Sequence, residues 1–291
     1  MNPNRASVLR ELLNGNQLVM APGAFDPLSA RIVEQTGFPA VYMTGAGVAS
    51  SRLGVPDIGL ATMTEVLETA KNIVQVTTIP LICDIDTGFG NAINLIRTVR
   101  EFETIGAAAL QIEDQVTPKR CGHLEGKQLV STAEMVKKIE AFQYARRSDD
   151  LVLIARTDAI AVTGLDDAIA RARAYAAAGA DVLFVEAPKT VDQMKRINDE
   201  LSDVPLLINI VEGGGKTPIL AAGELEALGY RLAIYPVSAW TAAIAAMQKV
   251  LAELKQKGTT EGLAENMVSF KEMFEVVGLS HYHDLQNRFL S

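Results

Sequence analysis

At 291 residues, 48% hydrophobic and 21% charged, the chain has a globular composition with apolar material for a large core. The net charge of −8 is spread along it, which argues against a nucleic-acid-binding face, and no run approaches the roughly 18 unbroken apolar residues of a membrane helix. Two cysteines, Cys83 and Cys121, make no disulfide framework, and the polar opening MNPNRASVLRELLNGN lacks a secretory core, so a reducing cytoplasm is the expected location.

Short apolar runs alternate with helical stretches along the whole chain. After a helical opening come QLVMAPGAF (17–25) and AVYMTGAG (40–47), the second bearing Tyr42 and Thr44 before a small GAG turn. TMTEVLETAKNIVQV reads as a helix with Thr64 where an N-cap belongs. PLICDIDTG (80–88) ends in Asp84 and Asp86, and AALQIEDQ (108–115) in Glu113 and Asp114. STAEMVKKIEAFQYARR opens with Ser131 and has Glu134 three residues later, the spacing of a capping box. LVLIARTDA (151–159) carries Arg156 and Asp158, and the Ala/Arg-rich helix after it stops at Gly179. DVLFVEAP (181–188), PLLINIVEGG (205–214) and RLAIYPVSA (231–239) supply Glu186, then Asn209 and Glu212, then Ser238.

Each run is too short for a helix and continuous rather than alternating, as a strand buried on both faces reads. Eight such strands alternating with helices predict a (β/α)8 TIM-like barrel, for which about 250 residues is typical. An open doubly wound sheet is the runner-up, but APGAFDPLSA is not the G-x-G-x-x-G that fold favours after its first strand. No linker interrupts the pattern, so residues 1–291 are expected to form one barrel domain with an N-terminal helical extension and a C-terminal helical tail.

Barrel chemistry sits at the carboxyl ends of the strands, where these polar residues fall. Asp84 and Asp86, two apart, are expected to point the same way from a strand. Paired carboxylates repel unless a cation or proton intervenes, and with Glu113 nearby an oxygen site for Mg²⁺ or Mn²⁺ follows. In KRCGH, Cys121 and His123 make half of a zinc site, yet no second Cys/His pair completes it. A plain solvated loop and an active-site loop remain, the latter with a thiol tuned by Lys119, Arg120 and His123. EGGGKT (212–217) fails the phosphate-loop spacing, and HYH near the C-terminus reads as surface.

DIDTGFGN, IEDQVTPKRCGH, ARTDA, FVEAP and GKTP together resemble the isocitrate lyase / phosphoenolpyruvate mutase superfamily over roughly residues 15–285. The resemblance implies a barrel whose last helix is swapped between subunits, a homo-oligomer built as a dimer of swapped dimers, and Mg²⁺ (or Mn²⁺) with a small 2-hydroxy or 2-oxo carboxylate. It implies Asp84 and Asp86 as metal carboxylates, with Asp57 and Glu113 reaching the metal through water. Thr44, Gly45 and Ala46 look like the loop on the pyruvate-like half, although the family often has Ser where Thr44 stands. Arg156 is similar to the arginine on the substrate's oxygen, and Cys121 marks the lyase branch, since the phosphonate-bond enzymes lack K-R-C-G-H. Tyr42, Lys119 and a metal-bound water are candidates for the base, and Gly122, His123, Glu186, Asn209 and Ser238 are expected at the substrate.

Within the lyases, SAWT places Thr241 where the 2-methylisocitrate lyases have an arginine, and Phe270 aligns with a second. Without those arginines a third carboxylate would be left desolvated and unpaired, at a cost of several kcal/mol. The resemblance therefore implies a 2-alkylmalate-type dicarboxylate, such as 2,3-dimethylmalate cleaved to pyruvate and propionate. The alternatives are 2-methylisocitrate cleavage and oxaloacetate hydrolysis or decarboxylation, with phosphonomutase and a non-catalytic barrel behind them.

Overall fold

Each apolar run contains one short strand, and each strand stops where its polar residues begin. The computed structural model describes residues 4–290. The strands are β1 (Val19–Ala24), β2 (Val41–Met43), β3 (Leu81–Asp84), β4 (Ala109–Glu113), β5 (Val152–Thr157), β6 (Val182–Val185), β7 (Leu206–Asn209) and β8 (Leu232–Tyr235). They pair in sequence order, and β1 closes on β8 with Val19 opposite Leu232. The pairing is parallel throughout and leaves no point where the strand order reverses, which excludes the doubly wound sheet.

Strand periodicity sorts the side chains into two layers. Val19, Ala21, Tyr42, Ile82, Ala109, Ile154, Phe184, Leu207 and Ile234 fill the interior. Helix Arg5–Asn14 joins that cluster through Ala6, Leu9 and Leu13, which closes the end of the barrel where the strands begin. The alternate residues, including Met43, Cys83, Leu110, Leu153 and Ile208, meet Phe102, Phe142 and Tyr175 of the surrounding helices. Each large side chain buried this way contributes roughly 1.5–3 kcal/mol. The interior register, continued two residues along β3, β5, β6 and β7 and four along β4, brings Asp84, Arg156, Glu186, Asn209 and Glu113 to the carboxyl ends of the strands.

Local signals set the helix starts. Helix Met63–Val76 is capped by Thr62, not Thr64: Thr62 accepts from the Glu65 amide and the Glu65 carboxylate accepts from the Thr62 amide. Ser131 caps helix Thr132–Ala145 as predicted, and helix Leu165–Ala177 ends just before Gly179 at φ 107°.

The described residues divide into two compact units after Ser238. The first holds the barrel strands and the helices between them. The second is helical, with Ser238–Lys257, Phe270–Val276 and Leu279–Phe289 as its α-helices. In it Leu263 is buried, while Met247, Leu251, Phe270, Met273 and Phe289 are exposed. Among the described residues no helix is long and apolar enough to cross a membrane.

Candidate active site

The carboxylates after β3 converge by a turn rather than by strand alternation. β3 ends at Asp84, and Asp86 lies in the left-handed region at φ 51°. A non-glycine residue there costs on the order of 1–3 kcal/mol unless its surroundings hold it. Three bonds do so: Asp86 N donates to Asp84 Oδ1 (3.1 Å), Glu113 N to Asp86 O (2.9 Å) and Ile85 N to Gln111 O (3.1 Å). Both carboxylates finish against Gly45, where an added Cβ would lie 3.0 Å from Asp84 Oδ2 and 3.4 Å from Asp86 Oδ1. Thr44 caps the short helix Gly45–Val48, accepting from the Gly47 amide, so this turn lies flush against the acidic pair.

The segment after β4 folds back over these groups. Gln115 clamps Arg120 by two bonds, donating to its carbonyl (2.8 Å) and accepting from its amide (2.9 Å). Cys121 N donates to Asp57 O at 3.1 Å. Lys127 Nζ donates to the carbonyls of Gly122 and Leu124 from inside the loop. Thr87 of the β3 turn meets Thr117 of the loop through their hydroxyls (2.9 Å), and Lys138 Nζ donates to Thr87 O at 3.0 Å. The turn after β3 and the Cys121 loop are thus fastened together.

The flanking cations do not acidify the thiol. Burial pushes Cys121 above its ordinary value, and the adjacent lysine is engaged elsewhere. Lys119 Nζ bridges Asp57 and Asp86, 2.8 Å from Asp86 Oδ1. Burial opposes its charge, but Asp86, Glu113 and Asp57 prevail and hold it well above the usual lysine value. A thiol that keeps its proton is able to donate it.

Arg156, on β5, is nearly buried among three carboxylates. Its guanidinium takes Asp158 in a two-point pair (Nε to Oδ2 2.9 Å, Nη2 to Oδ1 3.0 Å) and lies 3.3 Å from Glu113 Oε2 and 3.4 Å from Glu186 Oε2. Its far face stacks 5.2 Å from the Phe184 ring centroid. Asp158 is in turn fixed through Asp114, whose carboxylate accepts from the Asp158 amide (3.0 Å), Thr157 Oγ1 (2.7 Å), Tyr175 OH (2.7 Å) and Arg171 Nη1 (3.3 Å). Asp114→Ala would strand the buried Tyr175 hydroxyl and remove one partner of Arg171. A loss of roughly 3 kcal/mol or more is expected from urea unfolding, the scale for breaking a buried ion pair; a loss below about 1 kcal/mol would show that the network is not structural.

Glu186 also accepts from Asn209 Nδ2 at 3.2 Å, and His123 Nε2 stands 3.6 Å from Glu186 Oε1. His123 Nδ1 accepts from the Lys216 amide (3.3 Å), which leaves the ring proton on Nε2, facing Glu186. Burial pushes the imidazole below its ordinary value, so it is neutral at pH 7. Tyr42 is buried in the barrel, donating to Gln111 Oε1 at 3.0 Å, and burial lifts its pKa well above the usual tyrosine value. Ser238 is turned onto Glu212 Oε1 (2.5 Å), and Ala46 lies in the turn after Gly45. Gln111, Lys127 and Lys138 escaped the sequence reading; a polar residue in the inward register of an apolar strand was the available signal for Gln111.

Among the described residues no three His, Cys, Asp or Glu side chains gather as a metal-ligand set. Asp57, Asp84, Asp86 and Glu113 surround Lys119 instead. Their chemistry still fits a hard divalent cation. All are oxygen donors, Glu113 Oε1 is buried without a hydrogen-bond partner, and burial raises Asp86 to about 6.

A family model described as phosphoenolpyruvate phosphomutase matches residues 9–255. A 2,3-dimethylmalate lyase from Eubacterium barkeri is 46% identical over 286 residues, which span 98% of this chain and 98% of that one. A 2-methylisocitrate lyase from Aeropyrum pernix is 43% identical over 281 residues, 97% of this chain and 89% of that one. Among solved structures, an oxaloacetate acetylhydrolase in complex with the inhibitor 3,3-difluorooxalacetate matches with a TM-score of 0.94 at 37% identity, over 98% of this chain and 96% of that one.

Proposed function

The chain belongs to the phosphoenolpyruvate mutase / isocitrate lyase superfamily, and from that premise we propose that it is a Mg²⁺-dependent carbon–carbon lyase acting on a 2-alkylmalate-type dicarboxylate. The observation that carries this reading is the Cys121 loop, laid over a cluster of buried carboxylates with Arg156 at its centre. The relative named 2,3-dimethylmalate lyase supports that substrate. So does the family resemblance, which sets Thr241 and Phe270 where the 2-methylisocitrate lyases have arginines.

Asp84 and Asp86 would hold Mg²⁺ beside Gly45, with Asp57 and Glu113 around it. The ion would supply Lewis-acid chemistry, making the substrate's 2-hydroxyl more acidic. The amides of Gly45 and Ala46, which open the Gly45–Val48 turn, would face the pyruvate-like half. Loss of the hydroxyl proton drives cleavage of the C2–C3 bond, whose electrons pass to C3, next to the second carboxylate. Arg156 and the neutral His123 imidazole lie where that negative charge develops. Cys121 delivers its proton to C3, giving propionate from 2,3-dimethylmalate; the hydroxyl proton passes to solvent, and the thiolate takes one back from solvent. Tyr42 and Lys119 both keep their protons in this arrangement. Either becomes a base only after its present partner lets go.

The expected assembly, a dimer of dimers with exchanged last helices, belongs to the same proposal. The exposed apolar side chains of the second unit support it.

Pyruvate release from 2,3-dimethylmalate, followed by coupling to lactate dehydrogenase, is expected to stop on treatment with EDTA and to return with Mg²⁺. Full turnover by the metal-stripped enzyme would remove the assignment of Asp84 and Asp86.

A further inference from the structure

Gln111 is an amide deep in an otherwise apolar barrel. It lies on β4 opposite Asp84 of β3 and Ile154 of β5 and is fully buried. Around it are Tyr42, Ile82, Ala109, Ile154 and Phe184 of the interior layer. An unpaired amide here would cost roughly 2–7 kcal/mol by transfer estimates, so its partners define its purpose. There are two: Gln111 Nε2 donates to Asp84 Oδ1 (3.4 Å), and Gln111 Oε1 accepts from Tyr42 OH (3.0 Å).

The direction of this chain is forced by chemistry. An ionised carboxylate only accepts, so the NH₂ end of Gln111 faces Asp84 and its carbonyl faces Tyr42. Tyr42 is then the donor in its bond to Gln111. The consequence for Asp84 is larger. Its Oδ1 is taken by two N–H donors, Gln111 Nε2 and the Asp86 amide. Its Oδ2 is left against the Gly45 turn, on the side where Asp86 Oδ1 lies.

We propose that Gln111 is a positioning residue for the metal centre: its side-chain N–H holds Asp84 Oδ1, so that Oδ2 is the oxygen left to a divalent cation. Groups that orient a ligand in this way typically contribute 10–100-fold to metal affinity. The proposal rests on the reading of Asp84 as a metal carboxylate, and it adds a residue that never touches metal or substrate.

The test is Mn²⁺ and Mg²⁺ binding by titration calorimetry to metal-stripped wild type, Gln111→Met and Tyr42→Phe. Gln111→Met is expected to weaken binding about 10–100-fold. Tyr42→Phe keeps the Gln111–Asp84 bond and is expected to stay within about threefold of wild type, a shift under roughly 0.7 kcal/mol. If Gln111→Met fails to fold because the Tyr42 hydroxyl is stranded, the Gln111→Met/Tyr42→Phe double variant removes both polar partners at once, which relieves that penalty. It is expected to show the same 10–100-fold loss. Wild-type affinity in Gln111→Met or in the double variant overturns the proposal while leaving the metal site standing. Wild type that binds neither ion fails the underlying reading, and the role of Gln111 falls with it.

Discussion

Cys121→Ser is expected to lose on the order of 10²–10⁴-fold in pyruvate release, the range a positioned general acid supplies. The loss follows from the loop's geometry and from the chemistry of the thiol. Cys121 is tied to Asp57 through its backbone amide, so the substitution leaves the loop's anchor in place. Burial keeps the thiol protonated at neutral pH, ready to donate once a carbanion forms beside it. A serine hydroxyl has nearly the same shape but is a far weaker acid, so it occupies the position and withholds the proton. The Gly45 turn, expected to bind the pyruvate half, is untouched. Oxalate or pyruvate should therefore bind Cys121→Ser within about threefold of wild type, a difference under roughly 0.7 kcal/mol. Unchanged turnover would remove the thiol from the mechanism. Lost oxalate binding would mean that the loop, not the proton, had been damaged.

Gly122→Ala tests the same loop by shape. An added Cβ would collide with Arg156 Nη2 and lie 2.9 Å from Glu186 Cγ. Neither neighbour is free to yield. Nη2 is held by Asp158, and Glu186 is held by Asn209 and by Arg156 itself. The loop must therefore lift, carrying Cys121 away from the reacting carbon. A displacement near 1 Å can cost about 10²-fold in rate, and a loss of that size or more is expected in kcat/KM. Stability should hardly change, because the strain is relieved when the loop opens. Proteolysis reads the difference: Lys119, Arg120 and Lys127 should become cleavable by trypsin in Gly122→Ala before they do in wild type. Equal activity and equal protection would show that the loop does not close against Arg156.

The barrel was legible because its signal is one of composition. A parallel strand covered on both faces must be apolar throughout, and β1 to β8 each fall inside a predicted run. Their ends were read too long because apolar residues continue into the turns, as where Gly45–Val48 begins a helix two residues after β2. The residues of the site were legible as types at strand ends, but their directions were not. Asp86 was expected to align with Asp84 along a strand, and a left-handed turn brings it there instead. The thiol was expected to feel its neighbouring lysine, but Lys119 is turned onto Asp57 and Asp86, pairings made across the fold. Gln111 and Lys127 were missed because each is explained only by a partner distant in sequence or by burial within a loop. The Thr64 cap missed by two positions, since two threonines compete and only Thr62 has Glu65 three residues on.

The central claim is cleavage of a 2-alkylmalate with protonation at C3, and product analysis by proton NMR in D₂O with Mg²⁺ tests it most directly. With 2,3-dimethylmalate and 2-methylisocitrate competing at equal concentration, the expected products are pyruvate and propionate carrying a single deuterium at C2. Preferential formation of succinate, or no pyruvate from either substrate, would contradict the account.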